Sequence, residues 1–165
     1  MQSRRAFILS GTPILAGLIL PRIALASPQT HTINMQSDTL GSKVWFDPIG
    51  LHVQVGDTIR WVIRSNVHTV AAYHPDNGHA LRIPAAAVPW NSGFLVNEGD
   101  AFEVTLTEAG VYDYYCEPHE FSGMVGRIVV GAAGEASTDW ADVPAVARRA
   151  FPDVAEIVAR GAVHI

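Results

Sequence analysis

One short stretch concentrates the side chains that can do chemistry: Tyr114-Tyr115-Cys116-Glu117-Pro118-His119-Glu120-Phe121-Ser122-Gly123-Met124. It holds the only cysteine of the 165-residue chain, then a histidine and a methionine, spaced C-x2-H-x4-M. A thiolate, an imidazole and a thioether form a soft, polarisable donor set, and such sets suit copper. Zinc would accept the thiolate and imidazole, but a thioether is an unusual zinc ligand. The loop lacks one partner, a second histidine. The segment Ser65-Asn66-Val67-His68-Thr69-Val70 offers His68, which follows a strongly alternating strand and opens an apolar one.

The thiol's compartment strengthens this reading. The chain starts with Ser3-Arg4-Arg5-Ala6-Phe7, continues through an apolar run to Leu20, and reaches Ala24-Leu25-Ala26 before Ser27. A basic head, an apolar middle and small residues at the −3 and −1 positions make an export signal. The paired arginines resemble the twin-arginine type, so residues 1–26 are expected to be removed after Ala26 and the protein to be periplasmic or otherwise exported. The apolar run is broken by Gly11, Pro13 and Gly17, which argues against a retained membrane span. With the three arginines of the signal gone, eight basic residues face sixteen acidic ones, a net charge of −8. That balance speaks against nucleic acid and anionic membrane as partners, and towards a basic protein partner. A lone cysteine in an oxidising compartment has no internal disulfide partner and is liable to oxidation unless it is buried or held by a metal.

The elements that must bring these residues together read as β-structure. Runs rich in Val, Ile, Thr and aromatics cover 31–36, 43–46, 51–55, 58–63, 68–73, 101–106, 110–116 and 125–130. Several alternate apolar and polar, as in Ile59-Arg60-Trp61-Val62-Ile63 and Phe102-Glu103-Val104-Thr105-Leu106, the period of strands buried on one face. Turn residues separate them at Asp47-Pro48, Gly56-Asp57, 97–100 and 108–110. The expectation is an all-β, two-sheet sandwich of seven to eight strands over residues 27–131. His68 at one strand end and Cys116 at another would then meet at one pole, with His119 and Met124 in the connecting loop. Residues 73–93, with two prolines around three alanines and then Trp90, read as a long loop on one flank, Trp90 being its packing anchor. Residues 132–165 read as a linker followed by two short amphipathic helices, 142–150 and from 153 to about Gly161, packed on the sandwich.

The pattern Gly110-Val111-Tyr112-Asp113-Tyr114-Tyr115-Cys116-x-Pro118-His119, followed by Gly123-Met124-Val125-Gly126, resembles the blue copper proteins, the cupredoxins. The loop length is similar to that of plastocyanin and pseudoazurin. The resemblance implies a Greek-key sandwich and one type 1 copper cycling between Cu(I) and Cu(II). His68, Cys116 and His119 would be the trigonal ligands and Met124 the long axial one. It also implies a tyrosine corner at Tyr112 and an outer-surface electron route through Tyr115. One departure stands out. Many cupredoxins carry asparagine after the first histidine, tying the two ligand loops together. Here the residue is Thr69, whose hydroxyl is not expected to bridge as an amide does.

The expected function is a soluble, monomeric, periplasmic one-electron carrier with no catalytic residues. It would dock redox partners through an apolar surface of Pro118, Phe121 and Met124 around His119, with Glu117 and Glu120 favouring a basic partner. The alternative is copper delivery or storage, for which His74 and His79 offer a candidate second site. A copper enzyme usually needs further histidine pairs, and the chain contains no H-x-H. His31, His52 and His164 bear no spacing relation to the loop and read as packing or surface residues.

Overall fold

β-branched and aromatic runs form nine strands in the computed structural model, which describes residues 27–132 and 134–165. The signal expected over 1–26 lies outside the described residues. In chain order the strands are β1 (Thr30–Ser37), β2 (Val44–Asp47), β3 (Gly50–Val53), β4 (Thr58–Ile63), β5 (Ala71–Ala72), β6 (Ala101–Thr105), β7 (Gly110–Tyr115), β8 (Val125–Val130) and β9 (Ala162–Val163). One sheet has the order β2-β1-β4-β6, the other β5-β7-β8-β3-β9. Each mixes orientations: β1 runs parallel to β4 and β3 parallel to β8, and the remaining pairs are antiparallel.

The strands' alternation explains how the sheets face each other. Ile33, Met35, Phe46, Ile59, Trp61 and Ile63 of the first sheet share one buried cluster with Leu51, Val53, Tyr112, Tyr114, Ile128 and Val130 of the second. Residues two apart along a strand share a face, so these sets form the two inner walls. Each such side chain contributes about 1.5–3 kcal/mol when taken from water. Trp61 lies edge-on to Tyr114 at 5.4 Å and beside Trp90 at 5.7 Å, so the long loop does send Trp90 into the core as its anchor. Tyr112 makes the expected corner, its hydroxyl donating to the Glu108 carbonyl at 2.7 Å.

The second sheet departs from alternation: all six residues of β8 are buried. Its outer face is covered by the tail, which forms α1 (Ala145–Ala150) and α2 (Val154–Arg160). Val143 and Ala147 pack on Tyr73, Tyr115 and Val125, while Ile157 packs on Ile49, Val111 and Val129. After Gly161 the chain adds β9 beside β3, a ninth strand that two residues could not announce. The expected strand 68–73 is shorter than anticipated. Only Ala71 and Ala72 join the ladder, while isolated bridges tie His68 to Leu95 and the other edge of Ala71 to Asn91.

A charged cluster fastens the tail. Asp113, wholly buried in β7, accepts from Arg82 Nη2 at 2.7 Å and Arg127 Nε at 2.7 Å. Arg82 stacks on Trp140 at 3.7 Å and donates to the Asp139 carbonyl, and Arg127 donates to the Pro152 carbonyl at 2.9 Å. One buried carboxylate thus faces two guanidinium groups, and the excess positive charge is met by tail backbone carbonyls and the Trp140 ring.

Candidate metal centre

β7 ends at Tyr115, paired with Val125 of β8 and Ala71 of β5, so Cys116 leaves the sheet in a fixed direction. A 3-10 helix follows over Glu117–Ser122, with Pro118 in its first turn, and Gly123 closes it at φ 84°. Glycine fits there because this left-handed backbone crowds a Cβ, and the methyl would also meet Val146 at 3.1 Å. Three backbone bonds hold the loop: Cys116 N–H to Met124 O at 3.0 Å, Met124 N–H to His119 O at 3.1 Å, and Gly123 N–H to Glu120 O at 2.8 Å. His68 is held from the other side, exchanging backbone bonds with Leu95 at 3.2 and 2.9 Å.

The result is convergence. His68 Nδ1 and His119 Nδ1 lie 3.2 Å apart, and Cys116 Sγ is 3.7 Å from the first and 3.3 Å from the second. Donors about 2.0–2.3 Å from one shared ion in a trigonal plane sit about 3.5–3.8 Å from each other. The observed separations are close to that. His68, Cys116 and Met124 are fully buried and His119 partly so. Among the described residues His68, Cys116 and His119 are the only cluster of three or more His, Cys, Asp or Glu with such convergent atoms.

Burial holds the two imidazoles neutral and the thiol protonated until a cation arrives. Burial, reinforced by the neighbouring His119, lowers His68 to about 4, against a small opposing effect of the Ser65 backbone. Burial also lowers His119. Both imidazoles are therefore held towards the neutral form that can donate a lone pair. Burial raises the Cys116 thiol to about 11, partly opposed by bonds from Thr69. A buried thiol with so high a pKa gives up its proton only when a cation replaces it, so binding is coupled to proton release.

Thr69 corrects an expectation. Its hydroxyl accepts the Glu117 N–H at 2.8 Å and approaches Cys116 Sγ at 3.9 Å, while its own N–H points to the sulfur at 3.4 Å. One oxygen accepts and donates at once, so the hydroxyl does tie the two ligand segments together. The physical reason is that a hydroxyl has both an O–H and lone pairs, and here the ligand loop comes close enough for one atom to reach both Cys116 and Glu117.

Comparison with known proteins gives the same answer. Residues 33–131 match the model of the copper binding proteins of the plastocyanin/azurin family. The chain belongs to that family. It is 32% identical to plastocyanin of Prochlorothrix hollandica over 133 residues, 79% of this chain and 95% of that one. It is 31% identical over 124 residues to pseudoazurin of Paracoccus pantotrophus, covering 73% and 79%. The solved pseudoazurin of Sinorhizobium meliloti superposes with a TM-score of 0.60 at 27% identity, over 81% of this chain and 98% of that one. Copper is the metal of this cupredoxin family, and the soft, prearranged donor set described above fits it.

Two surface expectations change within this cupredoxin frame. Glu120 is only 4% exposed: its carboxylate accepts from Tyr73 Oη at 2.5 Å, so it cannot act as a docking charge. Met124 is wholly buried and contributes nothing to the surface. The loop's turn geometry points both side chains inward, where a linear spacing could not show them. Among the described residues His74 and His79 belong to no cluster of three or more convergent donors. His74 Nδ1 accepts the Asp76 N–H at 3.1 Å as a cap, and His79 packs on Tyr115 with ring centres 4.5 Å apart. His31 pairs with Asp57 at 2.8 Å, His52 with the Gly131 carbonyl at 2.8 Å, and His164 with Asp47 at 2.6 Å. Sequence reasoning missed the Tyr73–Glu120 pair, which has no motif spacing, and the Arg82–Asp113–Arg127 cluster, whose members are far apart in the chain.

Proposed function

We propose that this protein is an exported, monomeric one-electron carrier in which His68 Nδ1, His119 Nδ1 and Cys116 Sγ hold copper, with the Met124 thioether as a weaker fourth donor. The observation that carries the reading is the buried convergence of two imidazole nitrogens and one thiol sulfur in a rigid sandwich. Copper held there supplies a one-electron couple with soft donors for Cu(I) and imidazoles for both states. The protein's contribution is to keep the donors fixed between two sheets and dry, so that little rearranges when charge changes.

His119 is the ligand with a partly exposed ring and is the proposed electron port. Exposed Phe121 (79%) follows it in the loop, and Val67 and Phe94 (65%) adjoin His68 and its bridge partner Leu95. A small apolar rim favours brief docking, and exposed Glu117 together with the mature charge of −8 steers a basic redox protein towards it. Residues 27–131 form the copper domain in this reading, with the tail a packed extension of it. The expected periplasmic location rests on the twin-arginine-like sequence at the start of the chain. No helix among the described residues is long and apolar enough to cross a membrane. Copper delivery is the weaker reading, because three of the four donors are fully buried and exchange of a buried ion is slow.

The copper-loaded protein should show an intense thiolate-to-copper charge-transfer colour with a matching electron paramagnetic signal, both abolished in Cys116→Ser. A colourless Cu(II) complex overturns the proposal.

A further inference from the structure

The ligand loop is fastened to the His68 segment twice. The first fastening is Thr69, next to His68, bonded to Glu117 at the start of the loop. The second lies deeper. Tyr73, five residues after His68, is wholly buried, and its hydroxyl donates to Glu120 Oε1 at 2.5 Å. Glu120 directly follows His119 inside the 3-10 turn, and its carbonyl accepts the Gly123 N–H, one of the two backbone bonds that close the turn. Its carboxylate enters a well walled by Tyr73, Tyr115 and His79. The Tyr73 and Tyr115 rings are 4.6 Å apart, those of Tyr73 and His79 are 5.1 Å apart, and His79 Nε2 is 3.9 Å from Glu120 Oε2.

A buried carboxyl group is expensive unless its oxygens find donors. Charge-assisted bonds such as phenol to carboxylate are short and about twice as strong as neutral ones. The exposed alternative was open to Glu120, because its neighbours Phe121 and Ser122 in the same turn point to solvent. A polar side chain turned inward beside a ligand, and satisfied there by a partner from the other ligand segment, constrains the turn's rotation about its own axis. Rotating Glu120 out of the well would swing the adjacent His119 ring with it. α1 backs the turn at Gly123, where Val146 and Ala150 lie against it. The turn is thus held at both ends of its 119–123 arc.

We propose that Glu120 and Tyr73 form a latch that positions His119 and the ligand loop before any metal arrives, an inference that rests on the copper-site reading for its functional meaning. Tyr73 and Glu120 are positioning residues: neither reaches the donor cluster, and they act through the backbone of residues 119–124. The latch ties the two ligand-bearing segments together below the site, as Thr69 does beside it.

The test uses the full chain with and without copper. In the metal-free protein, Tyr73→Phe removes the phenol oxygen and keeps the ring packed against Tyr115 and His79. Amide hydrogen exchange at Gly123 and Met124, the donors that close the turn, should then quicken by about tenfold while the amides of β8 stay protected. Copper release to a chelator should quicken by about 10- to 100-fold, the range for supporting residues around a metal site, and the charge-transfer spectrum should shift. Glu120→Gln keeps a side-chain oxygen for Tyr73 and should restore much of the wild-type behaviour, whereas Glu120→Ala should match Tyr73→Phe. Unchanged loop exchange and an unchanged copper spectrum in Tyr73→Phe overturn the latch, and so does a uniform rise in exchange across the whole sandwich. The metal-free exchange is independent of colour, so a colourless wild type would sink the copper reading without deciding the latch.

Discussion

At the residue scale, the ligand triplet trades electrostatic comfort for readiness. His68 sits in a dry pocket with its Nδ1 beside another imidazole, and its pKa is depressed to about 4. An unfolded chain would protonate the same ring near its ordinary value of about 6.5. Between those values the unfolded state binds the extra proton, so the metal-free protein loses stability as the pH falls from about 6.5 towards 4. Burial of His119 adds to the same trend. Glu120 works against it, since burial raises its carboxyl and folding then favours the protonated form as the pH drops. Comparison with His68→Gln separates these contributions. Urea unfolding of the metal-free protein at pH 7, 5.5 and 4.5 should show a steeper loss of stability in the wild type than in the variant. Equal slopes would mean that the His68 ring is solvated in the apo protein. Thr69 teaches a different lesson at this scale: a residue type judged too small to bridge does so because the start of the ligand loop brings both Cys116 and Glu117 within reach of its one hydroxyl.

At the element scale, the sandwich was legible because its strands alternate and its turns carry Gly, Pro and Asp at the breaks. The four donors were legible because three of them share one loop, so their spacing survives in the linear sequence. What could not be read was how β7 and β8 are covered on both faces, since a doubly buried strand loses its alternation and resembles any apolar run. The same pair explains Gly126. It stands opposite Tyr114 across the ladder, and a Cβ there would fall 2.2 Å from the Tyr114 hydroxyl oxygen. The ring has nowhere to go, because it is already packed against Phe46 at 4.8 Å and Trp61 at 5.4 Å. Gly126→Ala should therefore destabilise by about 1–3 kcal/mol or more through overpacking. Tyr114 is two residues from Cys116, so the displaced strand should also alter the copper spectrum. Thermal unfolding with the spectrum recorded alongside checks both, and a wild-type melting temperature would show that the β7–β8 ladder can open to admit a methyl group.

At the scale of the whole molecule, the tail is part of the machine that holds the ligand loop. α1 lies under Gly123, Phe151 packs on Tyr73 with ring centres 5.9 Å apart, and α2 covers the outer face of the second sheet. The helices were visible in the sequence from their apolar periodicity, but the bond between tail and sandwich was not. It depends on Arg82 in the long loop, Asp113 in β7 and Arg127 in β8, which meet only after folding. Asp113 is the common partner, accepting four bonds from guanidinium nitrogens at 2.7–3.0 Å with neither oxygen exposed. Asp113→Ala would leave two arginines facing each other in a dry cleft, and breaking a buried pair in this way costs about 3–5 kcal/mol. Water and a shifted tail can relieve that charge only by opening the stack of Arg82 on Trp140 and the bond from Arg127 to Pro152. The loss should therefore appear as undocking of residues 139–165 as well as a lower midpoint of unfolding. Limited proteolysis should cut Asp113→Ala between residues 132 and 145 well before the wild type. Resistance of the variant to both protease and denaturant would show that the aromatic contacts of Trp140 and Phe151 hold the tail without the ion cluster.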